Sequence, residues 1–351
     1  MSLFGSLYVG ASGLQTGQNA LNTTAHNLSN VDTKGYTRQQ TLLTDKNYNL
    51  LSVNPKAAAN QQTGLGVTYA DVRQVRDSFL DQKYRKESGR SAFYEVSYNT
   101  LGEVETLLGE LDGESFSESM NDLWEAVQEL AKQPASSVTQ GLLIQRASQF
   151  VEQAGNVYSA LSKYQDNLNN QIKGEVDQIN QYADRLFALN NEIIKIETGG
   201  IERANDLRDE RNQILDALGG YGNISYSEDW NGSVNVKYEG HTLVNATQVF
   251  KIGLDQNSDT GFYTPFWQGD AKKIPQENGT FRYDISNCKV FDLTREISTA
   301  CNTDIGSLKG MLVARGDHRA DYTDLQDADA YNETVSSSIL MNVQAEFDNL
   351  V

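Results

Sequence analysis

Leucine recurs every seventh residue near the start of the chain, at Leu7, Leu14, Leu21 and Leu28. Phe4, Ala11, Gln18 and Ala25 fall between them at alternating spacings of three and four. This is an a/d seam sustained for about four heptads, the pattern of a helix that packs along another helix. Beside it runs a strip of small residues, Ser6, Gly10, Gly13, Gly17, Ala20 and Thr24, where a neighbour could approach backbone to backbone. Gly5, Gly10, Gly13 and Gly17 each cost roughly 1 kcal/mol of helix propensity. The segment is therefore expected to need cover on two faces: an assembly seam (Phe4, Leu7, Ala11, Leu14, Leu21, Ala25, Leu28) and a packing strip (Gly10, Gly13, Gly17, Ala20). No partner for it is evident elsewhere in the chain, so alone it should fray or be ordered only against another copy. A buried helix of an ordinary globule would share the pattern.

Asn30-Val31-Asp32-Thr33-Lys34-Gly35-Tyr36-Thr37-Arg38-Gln39 reads as a helix stop and a glycine turn into an extended segment. Residues 41–70 are polar and carry Asn54-Pro55 and Gly64-Leu65-Gly66, which reads as a linker. Helical spacing is expected from Asp71 through Val72, Val75, Phe79, Phe93, Val96, Leu101, Val104, Leu108 and Leu111, with Gly113 as the stop. Ser115-Phe116-Ser117-Glu118 matches a capping box. Phe116, Met120, Leu123, Trp124, Val127 and Leu130 form the stripe of the helix that follows, and Pro134 ends it. Residues 136–197 then hold a near-heptad pattern through Ala147, Val151, Ala154, Tyr158, Leu161, Leu168, Ile172, Ile179, Leu186, Ile193 and Ile196. Sixty helical residues span about 90 Å, more than a compact globule of this size needs. Gly199-Gly200 closes that helix. A short one over roughly 204–218 follows, and Gly219-Gly220 is expected to cap it.

Val234, Val236 and Tyr238 then alternate with Asn235 and Lys237, between the hairpin signals Asn231-Gly232 and Glu239-Gly240. Helical spacing returns near Asn302 and runs through Val335, Ile339, Val343, Phe347 and Leu350 without a stop signal, as expected if more sequence follows. The fold class predicted is mainly α: an elongated helical bundle with long coiled-coil-like helices, an N-terminal assembly helix and a small β-rich insertion. The expected divisions are 1–60 (terminal helix and linker), 61–222 (helical rod), 223–301 (β-rich insertion) and 302–351 (a helix returning to the rod).

The charge balance is 29 basic against 47 acidic residues, a net charge of −18, which repels nucleic acid and anionic membrane surfaces. No apolar run is long enough for a membrane span, and no cleaved secretory signal is evident. Cys288 and Cys301 have no metal-site spacing; free thiols are expected, with one disulfide as the alternative. His26, His241 and His318 belong to no catalytic motif, and the chain has no G-x-S-x-G, H-E-x-x-H or P-loop pattern. Asp317, Asp321, Asp324, Asp327 and Asp329 lack the ligand order of a calcium loop and read as a solvated face. Asp206, Arg208, Asp209 and Arg211, with Glu210, read as ion pairs that lock the short helix to the rod, each pair worth a few tenths of a kcal/mol. Arg38 is either a contact to a neighbouring subunit's carboxylate or a bystander of a turn fixed by Gly35 and Tyr36. No catalytic, metal or cofactor residue is expected.

Ser12-Gly13-Leu14, His26-Asn27-Leu28-Ser29-Asn30, Thr33 and the turn motif with Asn30, Gly35, Tyr36, Arg38 and Gln39 resemble the N-terminal signature of the bacterial flagellar axial proteins. Further on, Asn205-Asp206-Leu207-Arg208-Asp209-Glu210-Arg211-Asn212, the Asn231-Gly232 hairpin, Gly240, Leu243-Val244 and Gly306-Ser307-Leu308-Lys309-Gly310-Met311-Leu312 resemble, in order, the hook-associated protein 1 family, whose members join hook to filament. The resemblance implies a structural subunit of the flagellum that joins hook to filament by helix–helix packing, without catalysis or cofactor. It implies self-association into a flagellar layer, contacts with hook protein and with other hook-associated or filament subunits, and an export chaperone. It also implies an extracellular place, reached by the flagellar type III route without a cleaved signal peptide. Family members continue into a further domain and end in a helix that pairs with the N-terminal one; neither lies within these 351 residues. The alternatives are another axial protein (hook, rod or filament subunit), a ligand-binding or enzymatic module on a helical stalk with its site in 223–290, and a coiled-coil signalling protein.

Overall fold

The computed structural model describes residues 3–46, 49–52, 61–109, 116–200, 202–275, 281–326 and 335–351. The helices are α1 (Leu3–Ser29), α2 (Ser78–Leu107), α3 (Phe116–Lys132), α4 (Ser137–Glu197), α5 (Asn205–Tyr221), α6 (Ser307–Arg315) and α7 (Ile339–Leu350). The strands are β1 (Gln39–Asp45), β2 (Asn49–Ser52), β3 (Gln61–Thr63), β4 (Val67–Gln74), β5 (Ile224–Glu228), β6 (Val234–Tyr238), β7 (His241–Val244), β8 (Ile252–Gln256), β9 (Tyr263–Trp267), β10 (Lys272–Pro275) and β11 (Phe281–Asp284). The fold is mainly α with long helices and small antiparallel sheets, as the sequence predicts.

The 61-residue α4 is the spine. Its heptad positions Leu161, Leu168, Ile172, Ile179, Leu186 and Ile193 are all buried, as are Phe150, Ala154 and Val157 nearer its start. α2, α3, α5, α6 and α7 pack along it. Short links, such as the four residues around Pro134, make sequential neighbours antiparallel. α2 and α5 approach closely where Gly89 meets Gly219: a Cβ on Gly89 would collide with the Gly219 carbonyl. Gly219-Gly220 therefore does not cap α5, contrary to expectation; the helix runs through to Tyr221, and the glycine is there to admit α2.

The β-rich region lies along one flank of α4. Three asparagines on the helix hold it, each through both ends of its carboxamide. Asn190 donates to Val234 O (2.9 Å) and accepts from Val234 N (3.1 Å). Asn180 does the same with Ile252 (2.9 Å each way). Asn169 accepts from Tyr263 N at 2.8 Å and donates to Gly261 O at 3.2 Å. Each amide acts as one rung of a sheet, so edge strands end on the helix with their polar groups satisfied.

Three other expectations fail. Residues 41–70 are not simply a linker: β1 and β4 pair antiparallel from Gln39–Gln74 to Asp45–Val67, and β2 pairs with β3. The tract from Asp71 is not helical; Val72 belongs to β4, and α2 starts only at Ser78 after Asp77, whose carboxylate accepts from Phe79 N and Leu80 N. Trp124, expected on the buried stripe of α3, is exposed, and Ala126 is buried instead. Asn54-Pro55, Gly113, Ser115, Asp327 and Asp329 lie outside the described residues. Both cysteines are free thiols. Among the described residues no helix is long and apolar enough to cross a membrane.

Candidate assembly surface on the terminal helix

α1 packs through a polar stripe that is neither the leucine seam nor the glycine strip and shares only Ala20 with the latter. Ser12 and Thr16 are its buried positions, followed by Ala20, Thr23 and Asn27 at intermediate exposure. Steps of three and four keep these residues on one face. They meet the β1–β4 hairpin by hydrogen bonds. Val67 N donates to Ser12 Oγ (3.3 Å), and Thr41 Oγ1 pairs with Thr23 Oγ1 (3.0 Å). Asn27 clamps Gln39, donating to its O and accepting from its N at 2.8 Å each. The Tyr36 hydroxyl also donates to Asn27 Oδ1 at 2.7 Å, and the Tyr36 ring meets His26 edge-on. α1 thus has a partner within its own chain, which corrects the expectation that only another copy could order it.

At 100° per residue the leucine row lies about 150° around the helix from this stripe. Leu7, Leu14, Leu21 and Leu28 are accordingly 70%, 79%, 71% and 74% exposed. Ala11 and Ala25 are exposed with them, and the side chain of Phe4 lies outside those described. Gly10, Gly13 and Gly17 have open space where a Cβ would stand, and Ala20 lies at the edge of the hairpin contact.

The turn motif fastens this unit to the bundle. Asn30 closes α1 by donating from Nδ2 to His26 O (3.0 Å). Gly35 has φ +82°, and a Cβ there would run into Gln213 of α5. Thr37 N donates to Asp209 Oδ2 (3.1 Å), and Gln74 Nε2 donates to Asp209 Oδ1 (2.8 Å). Asn205 Nδ2 donates to Val72 O (2.8 Å). Burial pushes the Asp209 carboxyl up from its ordinary range, against the bonds from Thr37. Arg38 is exposed, and its backbone O accepts from Val75 N (2.9 Å). Arg208, Glu210 and Arg211 of the α5 motif reach the spine and the sheet instead. Arg208 binds Glu197 of α4 and Glu228 of β5, each at 2.7 Å. Arg211 donates to Gly232 O (2.6 Å) and pairs with Glu228 (3.1 Å). Glu210 pairs with Arg185 of α4 (2.6 Å), while Asp206 is exposed. The first two turns or so of α5 are thus a junction for the hairpin, the spine and the sheet.

The histidines form no catalytic constellation. His241 stacks on Trp267 and pairs with Asp270 (2.8 Å). His318 lies between Asp317 (2.7 Å) and Asp324 (3.2 Å), whose carboxylates push it up to about 9. Asp321 caps the turn that follows. Among the described residues no three His, Cys, Asp or Glu side chains are grouped to hold a metal ion.

The family model for the flagellar hook-associated protein FlgK helical domain matches residues 101–281, over half of the chain. The chain belongs to the flagellar hook-associated protein FlgK family. A model for the flagella basal body rod protein also matches residues 7–37, the α1 helix and the turn after it. Flagellar hook-associated protein 1 of Bacillus subtilis is 27% identical over 352 residues, covering 99% of this chain and 66% of that protein. Its counterpart in Salmonella typhimurium is 29% identical over 249 residues, 70% of this chain and 44% of that one. The chain thus spans less than two thirds of the length of these FlgK relatives. The solved flagellar hook junction protein FlgK of Burkholderia pseudomallei shares the fold with a TM-score of 0.51 at 17% identity, over 68% of this chain and 38% of that one.

Proposed function

We propose that this FlgK-family chain is a structural subunit of the bacterial flagellum, at the junction of hook and filament, and that it acts by helix–helix packing rather than by catalysis. One observation carries the reading: α1 is already held by its polar stripe, yet its complete leucine row faces outward. Four exposed leucines in one line are a seam waiting for cover, each worth roughly 1.5–3 kcal/mol when fully buried. The cover comes from terminal helices of neighbouring copies and of hook, filament or other hook-associated subunits. The seam is Phe4, Leu7, Ala11, Leu14, Leu21, Ala25 and Leu28, with Gly10, Gly13, Gly17 and Ala20 admitting a second helix at short range. The Asn30–Gln39 turn and the α5 motif hold the helix at its angle to the bundle. Export by the flagellar type III route, with a chaperone and without a cleaved signal, belongs to the same reading.

The test uses the full-length protein in cells that lack their own copy. Leu14→Asp and Leu21→Asp should leave thermal melting of the purified protein unchanged and abolish filament growth from the hook. Normal filaments from both variants would overturn the reading.

A further inference from the structure

Charge is divided unevenly along this chain. Residues 1–76, the terminal helix and its hairpin, carry six Lys and Arg against three Asp and Glu. That leaves 23 basic and 44 acidic residues for the rest of the 29 and 47. A basic arm is therefore attached to a strongly acidic body.

The basic charge has a defined face. In the β1–β4 register Gln40 stands opposite Arg73, and Val75 N bonds Arg38 O. Alternation along the strands puts Arg38, Gln40, Arg73 and Val75 on one side, and all four are exposed. Gln39, Thr41, Val72 and Gln74, on the other side, are only partly exposed. Among the described residues neither Arg38 nor Arg73 has an ion-pair partner.

The body offers a counterpart on α2. Arg85, Gly89, Phe93, Thr100 and Val104 form its buried face. On the opposite face stand Tyr94, Glu95, Tyr98, Leu101 and Glu105, all exposed, with Tyr98 at 77%. Glu95 and Glu105 have no ion-pair partner among the described residues. The Tyr94 hydroxyl donates to Asp304 of its own chain (3.2 Å), which leaves its ring face and the whole of Tyr98 outward. Tyrosine rings and a leucine set between unpaired glutamates suit a cationic surface with apolar content, because Arg side chains both pair with carboxylates and stack on aromatic rings. Within one molecule the two faces do not meet. The foot of the hairpin is fastened to α5 by Asp209 and Asn205, while Glu95 lies about 27 Å along α2 from its N-cap.

We infer that the outer face of the hairpin, centred on Arg38 and Arg73, docks on the acidic tyrosine face of α2 in a second copy of this chain. The inference rests on the self-associating role proposed above and names the surfaces that would lock neighbours outside the terminal-helix core.

The experiment uses full-length protein in cells that lack their own copy, with Arg38→Cys and Tyr98→Cys introduced together in a Cys301→Ser background. Oxidation of isolated hook–filament structures should give a ladder of disulfide-linked oligomers, absent when either cysteine is omitted. In parallel, Arg38→Glu with Arg73→Glu, or Glu95→Lys with Glu105→Lys, should each cause loss of most filaments, and the two sets combined should restore them. A layer that forms without a ladder and tolerates the reversals overturns the inference and leaves the functional reading standing. Defective single sets that the combination does not restore also overturn it. If the wild-type protein itself forms no layer between hook and filament, the functional reading falls and the inference with it.

Discussion

The same heptad repeat occurs twice in this molecule with opposite outcomes. On α4, Leu161, Leu168, Ile172, Ile179 and Leu186 are between 0% and 3% exposed, under helices supplied by the chain itself. On α1, Leu7, Leu14, Leu21 and Leu28 face solvent. A repeat defines a face; it does not say whose surface covers that face. α1 meets its own chain mainly through hydroxyls and one carboxamide, with Lys46 over the Tyr8 ring and His26 against Tyr36, and its leucine row stays exposed. One device serves both regions. Asn27 clamps Gln39 of the hairpin just as Asn180 and Asn190 clamp Ile252 and Val234 of the sheet.

The largest effect should separate the two repeats directly. Ile179→Asp puts a carboxylate with no partner into the bundle core and should cost more than about 4 kcal/mol. Leu21→Asp should change bundle stability by less than about 0.5 kcal/mol, as surface substitutions do. Chemical denaturation followed by the helical circular dichroism signal gives both values. Comparable losses would mean that α1 is part of the same cooperative core, and the contrast would fail.

A smaller effect should show how the bundle itself is tuned by pH. Glu175 of α4 is pushed up to about 7 by burial, only partly offset by the Ser307 hydroxyl, which lies 2.8 and 2.9 Å from its two oxygens. Between the ordinary value of 4.5 and about 7 the folded protein holds a proton there that the unfolded chain has released. This group's contribution therefore makes stability fall as pH rises through that window. The size is about 3 kcal/mol, from 1.36 kcal/mol per pH unit over that window. Glu175→Gln should remove that slope and make the protein more stable than wild type at pH 8. Parallel stability curves for the two proteins between pH 4.5 and 7.5 would sink the assignment.

What the sequence made legible follows the same division. The α4 spine could be read because its partners are apolar and its heptad row stays buried from Leu161 to Ile193, although Val151 and Ile196, expected on the same row, are exposed. The β1–β4 hairpin could not: Gln39, Gln40 and Thr41 oppose Gln74, Arg73 and Val72, and a strand that meets a polar helix face shows no apolar alternation. Asn169, Asn180 and Asn190 sit among buried leucines and isoleucines and read as interruptions of a stripe, although a carboxamide there is how a helix closes a sheet edge. The leucine row and the exposed Arg38 were visible as candidates. The part of Asn205 and Asp209 was not. Acidic and basic residues a turn apart suggest local pairs, whereas Asp209 reaches a backbone amide 172 residues earlier in the chain.

The smallest effect tests the joint between the two regions. Asp209 is buried and accepts from Thr37 N and Gln74 Nε2, so it ties the end of the turn and the end of β4 to α5. Asp209→Ala removes both bonds and leaves the Thr37 amide without its partner, at a cost of about 1–2 kcal/mol. That loss should be local, because no core side chain of the bundle changes. Hydrogen exchange should therefore speed up at the Thr37 amide and along β1 and β4, while amides of α4 keep wild-type rates. The variant should also set α1 at a less defined angle to the bundle, so that assembly weakens even though the leucine row is intact. If α4 exchange accelerates equally, the joint is part of the bundle's cooperative unit. The two repeats would then belong to one folding body and not to a fixed spine with a separately docked arm.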